Sequence, residues 1–126
     1  KNVVFTGKIE NNQLKKYYNE SCLVVIPSIN ESMGDPWVFV LNEAMYYENP
    51  IIATDAVGAA PDMIKDNGFI VEEKNSTQLK EAMLKILSDD KLQDMMSKKS
   101  RKIICEKFQY SNMVDGFNRA ISYVKK

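Results

Sequence analysis

Three short stretches of this chain, "CLVVIPS" at 22–28, "PIIAT" at 50–54 and "GFIVE" at 68–72, are apolar through their length without a polar residue at every second position. A strand with one wet face alternates, so a run that does not alternate has to be covered on both faces. Such strands belong to parallel sheets whose crossovers are helices. Helix-compatible segments do separate these runs. "NNQLKKYYNE" at 11–20 carries Leu14 and the Tyr17/Tyr18 pair at helical spacing, an apolar segment follows Pro36, and a short link joins 54 to 68. A β-branched run, "NVVFTG" at 2–7, opens the chain as a fourth candidate strand. The alternation predicts an α/β fold, a Rossmann-like parallel sheet with helices on both faces.

After Glu73 the pattern becomes helical only. Asn75 and Gln78 have capping-box spacing, and Leu79, Ala82, Met83, Ile86 and Leu87 form an apolar stripe. A second helix is expected over about 91–107 with Leu92, Met95, Met96, Ile103 and Ile104 inward. Ser111 can cap a third, with Met113, Val114, Phe117, Ala120, Ile121 and Val124 on one face. The expected organisation is a single domain over 1–126, an α/β part over 1–73 and a helical tail over 74–126.

Composition removes several function classes. Lys+Arg and Asp+Glu both number 17, so the net charge is zero and gives no support for nucleic-acid binding. There is no His, which removes imidazole bases, Ser-His triads and the commonest metal ligand together. With no Asp-x-Asp pair either, no metal site is expected. Cys22 and Cys105 lie far apart in apolar runs, which fits two thiols in a reducing compartment. No stretch approaches the roughly 20 apolar residues of a membrane span. The basic cluster "KKSRK" at 98–102 reads as a solvated helix face, with contact to an anionic membrane surface as the alternative. The Met residues read as gap-filling core, and Tyr17, Tyr18, Tyr46 and Tyr47 as packing residues with wet hydroxyls.

The segment "GDPWVFVLNEAMYYENPIIAT" at 34–54 carries the chemistry. Asp35 followed by Pro36 is an ordinary helix start, with Asp35 as N-cap, a role compatible with ligand contact. Glu43 then falls in the second turn of an apolar helix. Either it finds a donor, because a buried carboxylate without one costs several kcal/mol, or it lies on an exposed stripe with Asn42. Periodicity weighs the two equally. The loop at 28–35 leaves a parallel strand at its carboxyl end and enters a helix N-terminus, where ligands of open α/β sheets bind and phosphate is favoured. The loop at 54–61 leaves the next strand at the same edge, and Gly58 there lets a ligand approach the backbone closely. These features point to an anion- or nucleotide-binding crevice with Glu43 accepting hydrogen bonds from hydroxyls.

"VVFTGKI", "LKKYYNES", "VVIPS" and "GDPWVFVLNEAMYYENPIIATDAVGAAPDMIKDNGFIV", in that order, resemble the nucleotide-sugar-binding domain of GT-B-fold retaining glycosyltransferases, the "group 1" family. Its mark is an acidic pair spaced E-x7-E, followed by Ala-Met and a Pro-Val-Ile-Ala-Thr-like strand. Here Asp35 and Glu43 are followed by Ala44-Met45 and Pro50-Ile51-Ile52-Ala53-Thr54. The resemblance implies donor binding by a nucleoside diphosphate sugar and no further cofactor. Glu43 would hold the ribose hydroxyls, and Asp35, the candidate catalytic residue, would contact the transferred sugar as a charge stabiliser at the reacting carbon. The amides around Val38 and Phe39 would face the diphosphate, with Gly34 in the same donor site, and Gly7, Lys8 and Ile9 would border the base. The first acid is Asp rather than Glu, one methylene shorter, and Val38 stands where Gly is usual. Glu31 is a competing first acid but lies twelve positions from Glu43.

The resemblance further implies that the chain is a truncated C-terminal domain, without the two preceding strands, the basic diphosphate clamp or the acceptor-binding domain. On that basis the fragment alone is expected to be inactive. The 2–6 strand should then pair directly with 22–26 or with another molecule, giving altered packing or a dimer. The acceptor, a glycan or lipid-linked sugar, would be held by the missing N-terminal domain, with a cytoplasmic location at or near the inner face of the membrane. Competing functions are another GT-B enzyme, a nucleotide-sugar epimerase or glycan phosphorylase, and a non-enzymatic α/β interaction module.

Overall fold

The structure is a computed structural model that describes residues 2–31 and 35–125. Helix α1 (Asn11–Glu20) leads into strand β1 (Val24–Ile26), followed by α2 (Phe39–Tyr46), β2 (Ile51–Thr54), the single turn α3 (Ala60–Met63) and β3 (Gly68–Val71). Three helices close the chain: α4 (Ser76–Leu87), α5 (Asp90–Lys107) and α6 (Tyr110–Val124). The sheet is three-stranded, in the order β1-β2-β3, and both pairings are parallel. The α/β architecture and the three internal strands stand where the unalternated runs put them.

Every residue of the central strand β2 is buried. Because strand side chains alternate in direction, Ile51 and Ala53 enter one core with Leu41, Ala44 and Met45 of α2, Met63 of α3, and Ile103 and Ile104 of α5. Ile52 enters the opposite core with Val71, Ala82 and Ile86 of α4, and Met96 of α5. That two-sided cover is why these runs contain no polar alternation. Each fully buried Ile contributes about 1.5–3 kcal/mol through removal of apolar area from water.

The opening strand is a correction. Residues 2–10 form no strand, and Val3, Val4 and Phe5 are 67%, 82% and 95% exposed. The expected pairing of 2–6 with 22–26 is not made. A β-branched run is a strand only when a neighbour receives its N–H and C=O groups. Within the described residues β1 pairs with β2 alone, so the segment remains extended chain.

Helix ends also depart from expectation. Asn75 accepts from Gln78 N at 3.0 Å, but the Gln78 side chain turns to Glu72 N at 2.9 Å, so only half of the capping box forms. Helix α6 begins at Tyr110, one residue before Ser111, and Asn112 Oδ1 accepts from Gln109 N at 2.9 Å. Its apolar stripe, with Met113, Phe117 and Ile121 in sequence along the helix, is more than half exposed. Cys22 and Cys105 are free thiols, as expected, yet exposed rather than sunk in apolar surroundings.

Two backbone positions are tightly constrained. A Cβ on Gly68 would lie 1.8 Å from the Ile51 carbonyl oxygen, its ladder partner. Helix α2 ends in a Schellman motif, with Asn49 N donating to Ala44 O (3.0 Å) and Glu48 N to Met45 O (3.2 Å). Glu48 takes the left-handed position of that motif at φ 62°. We expect Gly68→Ala to lower the unfolding free energy by at least about 2 kcal/mol, because backbone must move to admit the methyl group. Glu48→Gly should instead raise it by about 0.5 kcal/mol by relieving left-handed strain. Chemical denaturation of the two variants beside the parent sequence checks both signs.

Candidate functional site

The carboxyl ends of the strands are clasped by polar contacts between their loops. Thr54, 4% exposed, donates through Oγ1 to Ser28 O at 2.6 Å and so joins the loops after β1 and β2. Asp55 N donates to Val71 O (2.9 Å), while Asp55 Oδ1 accepts from Glu73 N (2.8 Å). Glu73 Oε2 in turn accepts from Asn30 N at 2.7 Å. Loops that would otherwise be independent thereby form one rim at the edge where ligands of parallel sheets bind.

Asp35 and Pro36 lie on that rim, but not as a helix start. Asp35 forms a parallel bridge with Val57, and its carbonyl accepts from Gly58 N at 3.0 Å. A Cβ on Gly58 would stand 2.9 Å from Pro36 O, so the space this glycine leaves is used by the chain's own backbone. The segment is held extended by this bridge, which delays the helix to Phe39 with Val38 as N-cap. Asp35 therefore does not cap α2. Among the described residues no side chain caps it; Leu41 N turns back to Val38 O at 3.0 Å, and the amides of Phe39 and Val40 are left for another acceptor.

Glu43 keeps its place in the second turn of α2. It is exposed, on the side of the helix away from Leu41, Ala44 and Met45, which are buried. Its carboxylate nevertheless has a partner: Tyr18 of α1 donates its hydroxyl to Glu43 Oε2 at 2.9 Å. The Tyr18 ring stacks on Tyr47 at a centroid distance of 5.4 Å and an interplanar angle of 6°, and Tyr47 meets Tyr46 edge-on at 5.4 Å. Burial first, and then the Glu43 hydrogen bond and charge, push the Tyr18 phenol well above the ordinary tyrosine range. Arg101 lies 3.9 Å over the Tyr46 ring and donates to Tyr46 O at 2.6 Å, which raises its already high pKa.

Beside Glu43 opens a groove of about 850 Å³ between α2 and the junction of α5 with α6. Trp37, Phe39, Tyr46, Phe108 and Tyr110 give it aromatic walls, and Glu43 supplies the carboxylate. Trp37 is oriented by donation from Nε1 to Asn42 Oδ1 at 3.0 Å and by tilted contact with Phe108 at 6.0 Å. Among the described residues no cluster of three metal-ligating side chains is found.

The structure thus brings Asp35 and Gly58 together ahead of α2, whose amino end carries Val38 and Phe39, while Glu43 follows one turn further along the helix. Gly7, Lys8 and Ile9 precede α1, whose later turn carries Tyr18. Gly7 is at φ 64°, an open left-handed turn. Gly34 lies outside the described residues. The aromatic groove and the Tyr18 contact escaped sequence reasoning. One signal was present for the second, since α1 is polar around most of its surface and Tyr18 is one of its few positions suited to packing.

The basic cluster is not a single cationic face. Lys98 pairs with Asp94 (2.6 Å), Lys99 with Asp66 (3.3 Å) and Lys102 with Glu106 (3.9 Å), while Ser100 is fully buried and Arg101 lies on Tyr46. No helix of the described residues is long and apolar enough to cross a membrane.

With this geometry in place, residues 1–103 match the family described as "Glycosyl transferases group 1". The chain belongs to that family. An uncharacterized glycosyltransferase of Methanocaldococcus jannaschii is 32% identical over 113 residues, which is 88% of this chain and 28% of that protein. N-acetyl-alpha-D-glucosaminyl L-malate synthase of Bacillus anthracis is 30% identical over 117 residues, 91% of this chain and 29% of the synthase. The chain therefore spans less than a third of the length of these curated relatives. Among solved structures, sucrose-phosphate synthase from Thermosynechococcus elongatus superposes with a TM-score of 0.77 at 24% identity, covering 98% of this chain and 31% of the synthase. That likeness identifies the fold as a Rossmann-like domain of the GT-B type.

Glu43 thus sits in a hydrogen-bonded setting with a titratable partner. Since the Tyr18 pKa is raised in the fold, the stability it contributes is complete below the ordinary tyrosine pKa of about 10 and declines as pH rises past it. We expect unfolding free energy to fall above pH ~10, and less steeply in Tyr18→Phe. Alkaline denaturation with tyrosinate absorbance followed in parallel checks this, and equal slopes in both proteins would count against it.

Proposed function

We propose that this chain is the donor-binding part of a retaining glycosyltransferase, acting within a longer enzyme of its family. The enzyme would transfer a sugar from a nucleoside diphosphate sugar to an acceptor hydroxyl, in glycan or glycolipid synthesis. The observation that carries this reading is the position of Glu43. In a chain of the glycosyl transferases group 1 family, it places an oriented carboxylate on the wall of an open groove, in the second turn of a helix whose N-terminus has no side-chain cap.

The roles follow from charge and hydrogen-bonding capacity. The first-turn amides of α2, near Val38 and Phe39, would receive the diphosphate, since free N–H groups and the helix dipole favour an anion there. Glu43 would accept two ribose hydroxyl hydrogen bonds with one group. Asp35, on the rim before α2, would face the transferred sugar. Stabilisation of the leaving diphosphate by fixed donors would supply the largest share of the rate. The nucleoside diphosphate sugar is the donor substrate and no additional cofactor is invoked. The acceptor, a glycan or lipid-linked sugar, would be bound by the rest of the enzyme, on the cytoplasmic side.

One contact favours a second reading. Glu43 already accepts from Tyr18, as it would in a non-enzymatic module where the carboxylate only satisfies an internal donor. Remaining capacity supports the first reading. An ionised carboxylate has about four acceptor positions, and Tyr18 fills one, so an exposed Glu43 retains room for a ligand.

The test is calorimetric titration of the full-length protein with UDP, GDP and ADP, beside its Glu43→Gln variant. Saturable binding by one nucleotide, weakened in the variant by about 1–3 kcal/mol, is the expected result, that being the loss attached to charged hydrogen bonds. Failure of all three nucleotides to bind overturns the donor-site reading.

A further inference from the structure

The Tyr18–Glu43 hydrogen bond joins two helices that no sequence spacing connects, and it is the only side-chain hydrogen bond of Glu43 among those of the described residues. A glutamate exposed on a helix surface samples several rotamers. Fixing it costs up to about 2 kcal/mol of side-chain entropy. A ligand that needs one particular rotamer meets that cost itself unless the protein has already met it.

Tyr18 is built to do so. Its backbone carbonyl accepts from Asn49 Nδ2 at 3.0 Å, and Asn49 is 1% exposed inside the turn that ends α2. Its ring lies flat on Tyr47, the residue that closes the same helix. Its backbone is thus tied by one buried side chain and its ring by one stacked neighbour, while the carboxylate that its hydroxyl contacts stands at the groove wall. Burial also keeps the phenol protonated, and hence a donor, across the ordinary pH range.

We propose that Tyr18 is the positioning residue of Glu43, engaging Oε2 so that Oε1 and the remaining lone pairs are presented to the paired hydroxyls of a ribose. This rests on the donor-site reading of Glu43. Tyr18 itself is not assigned a contact with the ligand.

The decisive variant is Tyr18→Phe, which keeps the stacked ring and its volume and removes only the hydroxyl. Full-length wild type, Tyr18→Phe, Glu43→Gln and the double variant are titrated with UDP, GDP and ADP and with the 2′,3′-dideoxy form of whichever binds. Tyr18→Phe should weaken the ribonucleotide about 5- to 10-fold, because part of the cost of ordering the Glu43 side chain then falls on the ligand. It should leave the dideoxy nucleotide unchanged and add nothing on the Glu43→Gln background. Thermal unfolding of each variant confirms that folded protein is compared.

Two results overturn the assignment alone: Glu43→Gln weakening the ribonucleotide while Tyr18→Phe does not, or Tyr18→Phe weakening ribo and dideoxy forms equally, as a merely structural loss would. Undiminished binding by Glu43→Gln overturns the donor-site reading itself, and this assignment with it.

Discussion

Asn49 is the constraint around which the other elements are arranged. Its amide Nδ2 donates to the carbonyls of Tyr18 in α1 and of Ala44 and Tyr47 at the end of α2. Its own carbonyl accepts from Ser100 Oγ of α5 at 2.7 Å, and Ser100 accepts from Asn67 Nδ2, just before β3, at 3.2 Å. Asn67 is fully buried and receives Ile51 N on its carbonyl, at the start of the central strand. Unmade hydrogen bonds in such a place cost about 1–3 kcal/mol each, so the network penalises any arrangement that separates these pieces. Among the described residues Asn49 Oδ1 is buried without a partner. Turning the amide to satisfy it would take Nδ2 from three carbonyls, which explains the orientation observed.

From that junction the two halves of the molecule separate. On one side β2 leads into a core covered by α2, α3 and α5, and on the other into a core covered by α4 and α5. Helix α5 contributes to both, through Ile103 and Ile104 to the first and Met96 to the second, so it fastens the helical tail to the sheet. Helix α6 has no buried residue. The opening segment is equally bare. Both ends of the chain are thus carried by the α/β centre without adding to its core.

The same junction reaches the functional site. Asn49 sets α1 against the end of α2, which brings Tyr18 over Tyr47 and within 2.9 Å of Glu43. A buried structural network and an exposed carboxylate are in this way linked through one aromatic side chain. Next to Glu43 on the same face of α2, Arg101 of α5 lies over the Tyr46 ring and donates to the Tyr46 carbonyl, tying the groove-lining end of α2 to α5.

Much of this was legible in the residues. Runs such as "PIIAT" declare two-sided burial because strand geometry leaves no wet face for them, and the Asp35–Glu43 spacing with Ala44-Met45 and the Pro50–Thr54 segment identifies the family to which the comparisons also assign the chain. The departures have a common physical origin. "NVVFTG" has strand composition but no ladder partner in the fold, and Asp35-Pro36 has helix-start composition but a backbone bridge to Val57 that draws it away. Glu43 was balanced between partnered and exposed, and it is both, because its donor comes from a helix twenty-five residues earlier. Local sequence determines which segments can be strand or helix, since propensity and periodicity act over a few residues. Which of them find partners, and which polar atoms meet across the core, was decided only by the tertiary structure, because those bonds join residues that sequence spacing does not relate.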